Sequence, residues 1–104
     1  MTRFMILYPN EPGKKFDMKY YIEKHIPLVK SLLGTYGLVR TEVDKGIAGF
    51  GGAPAPFVCV GILYFESLES LAKGFEARAA DLMADIPNYT DTSPQIQISE
   101  IVGG

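Results

Sequence analysis

The sequence predicts an α+β domain with the element order βαββαβ, the ferredoxin-like arrangement of a four-stranded antiparallel sheet with two helices. Three observations predict it. Two stretches carry apolar residues at helical spacing, 18–33 and 68–85. Four short runs rich in strand-forming residues stand before, between and after them. At 104 residues the chain has the size of one domain, spanning 1–104, with a single hydrophobic core.

Arg3 to Tyr8 is apolar and reads as the first strand, β1, closed by the turn-forming run Pro9-Asn10-Glu11-Pro12-Gly13. Asp17 is a good N-cap for the first helix, and Phe16 before it is placed to staple onto Tyr21. Successive 100° steps over 18–33 gather Met18, Ile22, His25, Val29, Leu32 and Leu33 on one face, with Gly34 as the stop. Pro27 is the anomaly, because it removes a backbone donor and clashes with the carbonyl of Glu23. It implies a kink or a break between two short helices, or a bend beside His25 that opens space over the sheet.

Gly37 to Lys45 alternates as β2, with Leu38, Arg40, Glu42 and Asp44 on one side and Val39, Thr41 and Val43 on the other. The four glycines and two prolines of 46–56 form a hairpin connection, read as a plain connector or a mobile lid. Phe57 to Phe65 is the strongest strand, β3, apolar on both parities and so expected to be covered on both faces. Ser67 caps the second helix, whose stripe is Leu68, Leu71, Ala72, Phe75, Ala79, Leu82 and Met83. Pro94 to Val102 supplies β4. Two helices cover only one face of such a sheet, so the other face predicts a homodimer in which two sheets pack into a barrel.

The bulk chemistry narrows the function. A net charge of −2 and no basic run longer than Lys14-Lys15 argue against nucleic acid as a partner. No apolar stretch reaches the roughly 18 to 20 residues needed to span a bilayer, and no secretory leader is recognisable, which places the protein in the cytoplasm. The lone Cys59 has no disulfide partner, and one histidine, one cysteine and scattered acids make no metal cluster. No phosphate-binding fingerprint is present, so no tightly bound cofactor is expected.

His25 is the only histidine, and it stands on the apolar face of the first helix. An imidazole there is either a packed structural group or a general acid or base toward a substrate. Tyr21, at the edge of the stripe, is a candidate for orienting a substrate oxygen or a plain amphipathic residue, whereas Tyr20 falls on the opposite side. Tyr8 and Tyr64, on strands expected to be central neighbours, are candidate pocket hydroxyls. Arg40 is either an anchor for an anionic group or a partner for a neighbouring strand's acid at the surface.

The run Phe16-Asp17-x-x-Tyr20-Tyr21-x-x-x-His25-x-Pro27-Leu28 resembles the opening signature of the EthD family, and Asp85-Ile86-Pro87-Asn88-Tyr89-Thr90 resembles its C-terminal pattern. That resemblance runs the whole length and implies the dimeric α+β barrel. The family is named for a role in ethyl tert-butyl ether degradation, and it implies an oxidoreductase of the cofactor-independent, monooxygenase-like kind. Relatives on the barrel include isomerases, dehydratases and decarboxylases. Two functions stand: an enzyme acting on a hydrophobic, aromatic or polyketide-like molecule through His25, or a non-enzymatic binding or accessory protein for a degradation-pathway oxygenase.

Overall fold

The computed structural model describes residues 1–104. Strands β1 (Thr2–Pro9), β2 (Leu38–Lys45), β3 (Phe57–Phe65) and β4 (Gln95–Glu100) form one antiparallel sheet in the order β2-β3-β1-β4. The two crossover helices lie on the same face, and β1 and β3 are the central neighbours, as the alternation of strands and helices predicts.

Asp17 caps the first helix, its Oδ1 accepting from the Tyr20 N–H at 3.0 Å. The helix then departs from α-geometry. Met18–Tyr20 is α-helical, Tyr21–His25 is a π-turn, and Ile26–Leu33 is α-helical again. The Ile26 N–H reaches back five residues to the Tyr21 carbonyl. Pro27 therefore neither breaks the helix nor divides it in two. The widened turn just before it absorbs the missing donor and the ring.

An extra residue in one turn also rotates the inward face. Tyr21, His25, Ile26, Val29 and Leu33 are buried, whereas Ile22 is half exposed at 50%. The uniform 100° plot puts Ile22 inside and leaves Ile26 out, because it assumes an unbroken pitch. The α-helix ends at Leu33 with Gly34 as its C-cap, as expected, and a 3₁₀ turn Gly34–Tyr36 carries the chain on to Gly37, which takes the left-handed conformation at φ 84°.

The second helix, Leu68–Asp85, is capped as expected, with Ser67 Oγ accepting from the Ser70 N–H at 3.0 Å. Its buried residues are Leu71, Gly74 and Leu82, while Leu68, Ala72 and Met83 are exposed. The helix touches its neighbour through Gly74, where a side chain would press on Tyr36 and Leu33. A β-bulge in β2 pairs Leu38 with Phe65 and Arg40 with Tyr64, leaving Val39 as the extra residue. Leu38 and Arg40 consequently face opposite sides, not the same side.

The core between helices and sheet has a mainly aliphatic half, built on Val29, Leu33, Leu63, Phe65, Leu71 and Leu82, and a tyrosine-rich aromatic half. The aromatic half consists of Tyr8, Tyr21, Ile26, Cys59 and Tyr89. Phe16 lies 5.3 Å from Tyr21 between ring centroids, completing the expected staple. Gly61 of β3 accommodates the Tyr21 hydroxyl, which would collide with any Cβ there. Replacing Gly61 with Ala is thus expected to destabilise the fold by about 1–3 kcal/mol in urea unfolding, the usual cost of overpacking. An unchanged midpoint would show that Tyr21 is not held there.

Candidate functional site

Two distant stretches of chain are stitched together around His25. The Asp17 N–H donates to the Tyr89 carbonyl at 2.7 Å. The Lys15 N–H donates to Asp91 Oδ1 at 2.9 Å, and Thr90 Oγ1 donates to the Lys15 carbonyl at 2.7 Å. These bonds fix the start of the first helix against the chain leaving the second. Asp85 is the last residue of the second helix, and the 3₁₀ turn Ile86–Asn88 carries Tyr89 inward, where it is fully buried.

His25 Nδ1 lies 2.8 Å from Asp85 Oδ2. The other carboxylate oxygen, Oδ1, accepts from the Tyr20 hydroxyl at 2.7 Å and from the Asn88 side-chain amide at 2.9 Å. An ionised carboxylate only accepts, so Nδ1 carries the hydrogen and the lone pair of a neutral ring sits on Nε2. Nε2 is 3.4 Å from the Tyr89 hydroxyl, which is 2.6 Å from the Tyr8 hydroxyl. Tyr21 stacks on the imidazole at 5.3 Å with an interplanar angle of 21°, a contact that the π-turn makes by setting residues 21 and 25 above one another.

A cavity of about 340 Å³ lies between the helices and the β1–β4 side of the sheet. It is within the size range of small-molecule sites. Phe4, Ile6, Leu63, Phe75 and Leu82 make much of its wall, and the half-exposed Ile96 and Met83 stand at its mouth. Of the thirteen residues that line it, only His25 and Tyr8 bring polar side-chain atoms. A greasy chamber with one ring nitrogen and one hydroxyl can orient a molecule by a single polar function and exchange a proton with it.

Electrostatics keep the surrounding groups in fixed states. Burial alone pushes the Asp85 carboxyl upward, but hydrogen bonds from Asn88, His25 and Tyr20 outweigh it and hold the group below its ordinary range. Burial pushes the Tyr8 hydroxyl up to about 12, against the lowering contacts from Tyr89 and Tyr21. Tyr21 and Tyr89 are driven up by burial as well, so all three hydroxyls stay neutral. Cys59, fully buried against this aromatic cluster, has its thiol pushed to about 12 by burial and by the charge of Asp44.

His25 and Tyr8 meet at the cavity, and Tyr21 supports the imidazole from its face without lining the chamber. Tyr64 and Arg40 are elsewhere. Tyr8 pairs with Cys59 and Arg3 with Tyr64, an odd separation along β3 that places Tyr64 at the far end and on the uncovered face of the sheet. There the Tyr64 hydroxyl donates to Glu42 Oε1 at 2.6 Å, and Arg40 pairs with Glu42 at 2.6 Å while its guanidinium lies 3.9 Å over the Tyr64 ring. Neither is in the cavity, and Arg40 makes a surface ion pair, with Glu42 of its own strand and not with an acid of a neighbouring one. No residue of 46–56 lines the cavity either.

Asp85, Tyr89 and Tyr20 are site residues that the sequence alone did not single out. Tyr20 belongs beside the site and not away from it, through its bond to Asp85. A signal for the other two was present in the 85–90 motif, which needed only to be brought onto the first helix.

A model of the EthD domain matches residues 13–93 of the chain. The protein belongs to the EthD family. The matched span includes every residue of the Tyr20–His25–Asp85–Tyr89 network. An EthD-like protein from Ralstonia eutropha JMP134 is 37% identical, with 98% of this chain and 92% of that one covered and a TM-score of 0.91. An ethyl tert-butyl ether degradation (EthD) family protein from Bacillus halodurans C-125 is 20% identical over 98% of this chain and 99% of that one, with a TM-score of 0.69. A dimeric ferredoxin-like protein from an uncultured marine organism shares the fold at 10% identity and a TM-score of 0.57, covering 100% and 97% of the two chains. No curated protein matches.

Because Asp85 is held low in the folded EthD chain, its contribution to stability is complete above the unfolded carboxylate value of about 3.9 and is lost as pH falls through the lower folded value. Acid unfolding of Asp85→Asn is therefore expected to show a flatter dependence on pH below about 4 than the unsubstituted protein. Superimposable profiles would mean that Asp85 gains nothing from its three donors.

Proposed function

We propose that this EthD-family protein is a small cofactor-independent enzyme that takes a proton from a hydrophobic molecule, with His25 as the accepting group. The observation that carries this reading is the apolar cavity whose polar side chains are limited to an Asp85-oriented imidazole and the Tyr8 hydroxyl. An oriented Asp–His pair leaves the basic lone pair on Nε2, where it faces the Tyr89 hydroxyl, the protonation state that general base catalysis requires. Aromatic or polyketide-like molecules with an acidified C–H or O–H suit the chamber in size and character. Oxidation of the deprotonated molecule by dioxygen is the preferred onward chemistry, ahead of isomerisation, dehydration or decarboxylation, and all four begin with the same proton abstraction.

Exchange of substrate hydrogen for deuterium tests the first step without knowledge of the last. In heavy water, cavity-sized aromatic ketones and diketones are expected to exchange their acidic C–H hydrogens faster with the protein than without it. His25→Ala should lower that rate by about 10²–10⁴-fold while the chain remains folded. Full exchange in the variant would remove His25 from the chemistry. Binding without exchange at any pH would favour the accessory, non-enzymatic role.

The uncovered sheet face carries Met5, Leu7, Val60, Ile62 and Tyr64, and a second copy of the chain is the proposed cover. The dimeric state of the marine ferredoxin-like neighbour supports that reading. Light scattering after size exclusion is expected to return a two-chain particle at micromolar concentration, and a monomer would count against it.

A further inference from the structure

The geometry points to a substrate class and to a further positioning residue. The cavity takes a small apolar molecule with one oxygen function, the oxygen docks on the Tyr8 hydroxyl, and Tyr89 relays protons between Tyr8 and His25. This rests on the reading of His25 as the proton acceptor and extends it to two tyrosines.

The number of available hydrogens sets the direction of each bond. Three atoms stand in series, Tyr8 Oη to Tyr89 Oη at 2.6 Å and Tyr89 Oη to His25 Nε2 at 3.4 Å. With the imidazole neutral, Nε2 can only accept, so Tyr89 donates to it. The Tyr89 oxygen then accepts from Tyr8, and Tyr8 offers the cavity a lone pair. With the imidazole protonated, Nε2 donates to Tyr89, Tyr89 donates to Tyr8, and the Tyr8 hydrogen is turned toward the cavity. Tyr8 thus accepts from a hydroxyl-bearing guest in the first state and donates to a carbonyl or oxyanion in the second.

Proton transfer along this line balances. The guest loses a proton to the Tyr8 oxygen, the Tyr8 hydrogen passes to Tyr89, and the Tyr89 hydrogen passes to Nε2. The guest becomes an anion, His25 becomes a cation, and both tyrosines end as they began. The cation faces the Asp85 carboxylate at 2.8 Å, and the new oxyanion faces the hydrogen now presented by Tyr8.

The perturbed groups around the ring each keep one charge state near neutral pH. Asp85 is held low, while Tyr8, Tyr20, Tyr21, Tyr89 and Cys59 are all held high. Glu23 and Lys24, the ring's neighbours in the helix, are exposed. His25 alone sets the direction of the chain of hydrogen bonds.

Tetralone, a bicyclic ketone that only accepts, and tetralin, its hydrocarbon frame, separate the possibilities. Affinities are measured across the titration of His25, followed by the NMR signals of the single imidazole. Tetralone is expected to bind about five- to tenfold more tightly when His25 is protonated, the size of one net hydrogen bond, while tetralin binding does not change. Tyr89→Phe should flatten the tetralone profile and leave tetralin binding in place. Tyr8→Phe should reduce tetralone to the affinity of tetralin at every pH.

A flat tetralone profile in the unsubstituted protein overturns the relay, and so does a profile that survives Tyr89→Phe. If that occurs while deuterium exchange still depends on His25, the imidazole acts directly and only the relay fails. The expected profiles without any exchange support the relay and remove the catalytic reading. Failure of tetralin to bind at all removes the cavity reading and the relay with it.

Discussion

One backbone hydrogen bond organises the site: the Ile26 N–H to the Tyr21 carbonyl, five residues back. Pro27 cannot donate, and in an uninterrupted α-helix its ring would strike the Glu23 carbonyl, at a cost of about 3 kcal/mol. The π-turn relieves that conflict and inserts one extra residue into the turn. Because of that residue, Tyr21 and His25 both point inward with their rings stacked, and Ile22 is turned to solvent. The same residue choice that disturbs the helix thereby aims the only imidazole at the sheet.

The imidazole still requires an orienting partner, and the chain supplies it from sixty residues away. Bonds from Asp17, Lys15 and Thr90 join the two segments before any of the ionisable groups is considered. Asp85 then accepts from three donors, so its charge is satisfied on both oxygens. Such a carboxylate is rigid in position and holds the ring in one tautomer. The aliphatic half of the core closes the cavity on the opposite side without offering any competing polar atom.

Much of the fold was legible because it is written in local patterns. The apolar runs of β1 and β3, the alternation of β2, and the caps at Asp17 and Ser67 mark the element order, and the ferredoxin-like arrangement that this order predicts is the one observed. Errors arose wherever regularity was assumed. A helical wheel has one pitch, so it could not separate Ile22 from Ile26 across a π-turn. Strand parity has one period, so it failed for Leu38, which the bulge at Val39 puts on the opposite face from Arg40, Glu42 and Asp44. Tyr64 needed the register as well, because only the pairing of Tyr8 with Cys59 turns its odd separation from Cys59 into a place on the other face. Asp85 and Tyr89 were visible as a motif, but their roles depend on a contact between chain segments that no local pattern encodes.

The aromatic cluster also governs the sulfur buried against it. Burial holds the Cys59 thiol well above its ordinary range, so it stays protonated at neutral pH, and it has no surface through which a reagent can reach it. Peroxide or an alkylating agent can meet that thiol only after the packing of Tyr8, Tyr21, Ile26 and Tyr89 around it has opened. The rate of thiol labelling therefore clocks the opening of this one interface, and the chain carries its own sensor for the departure of its roof.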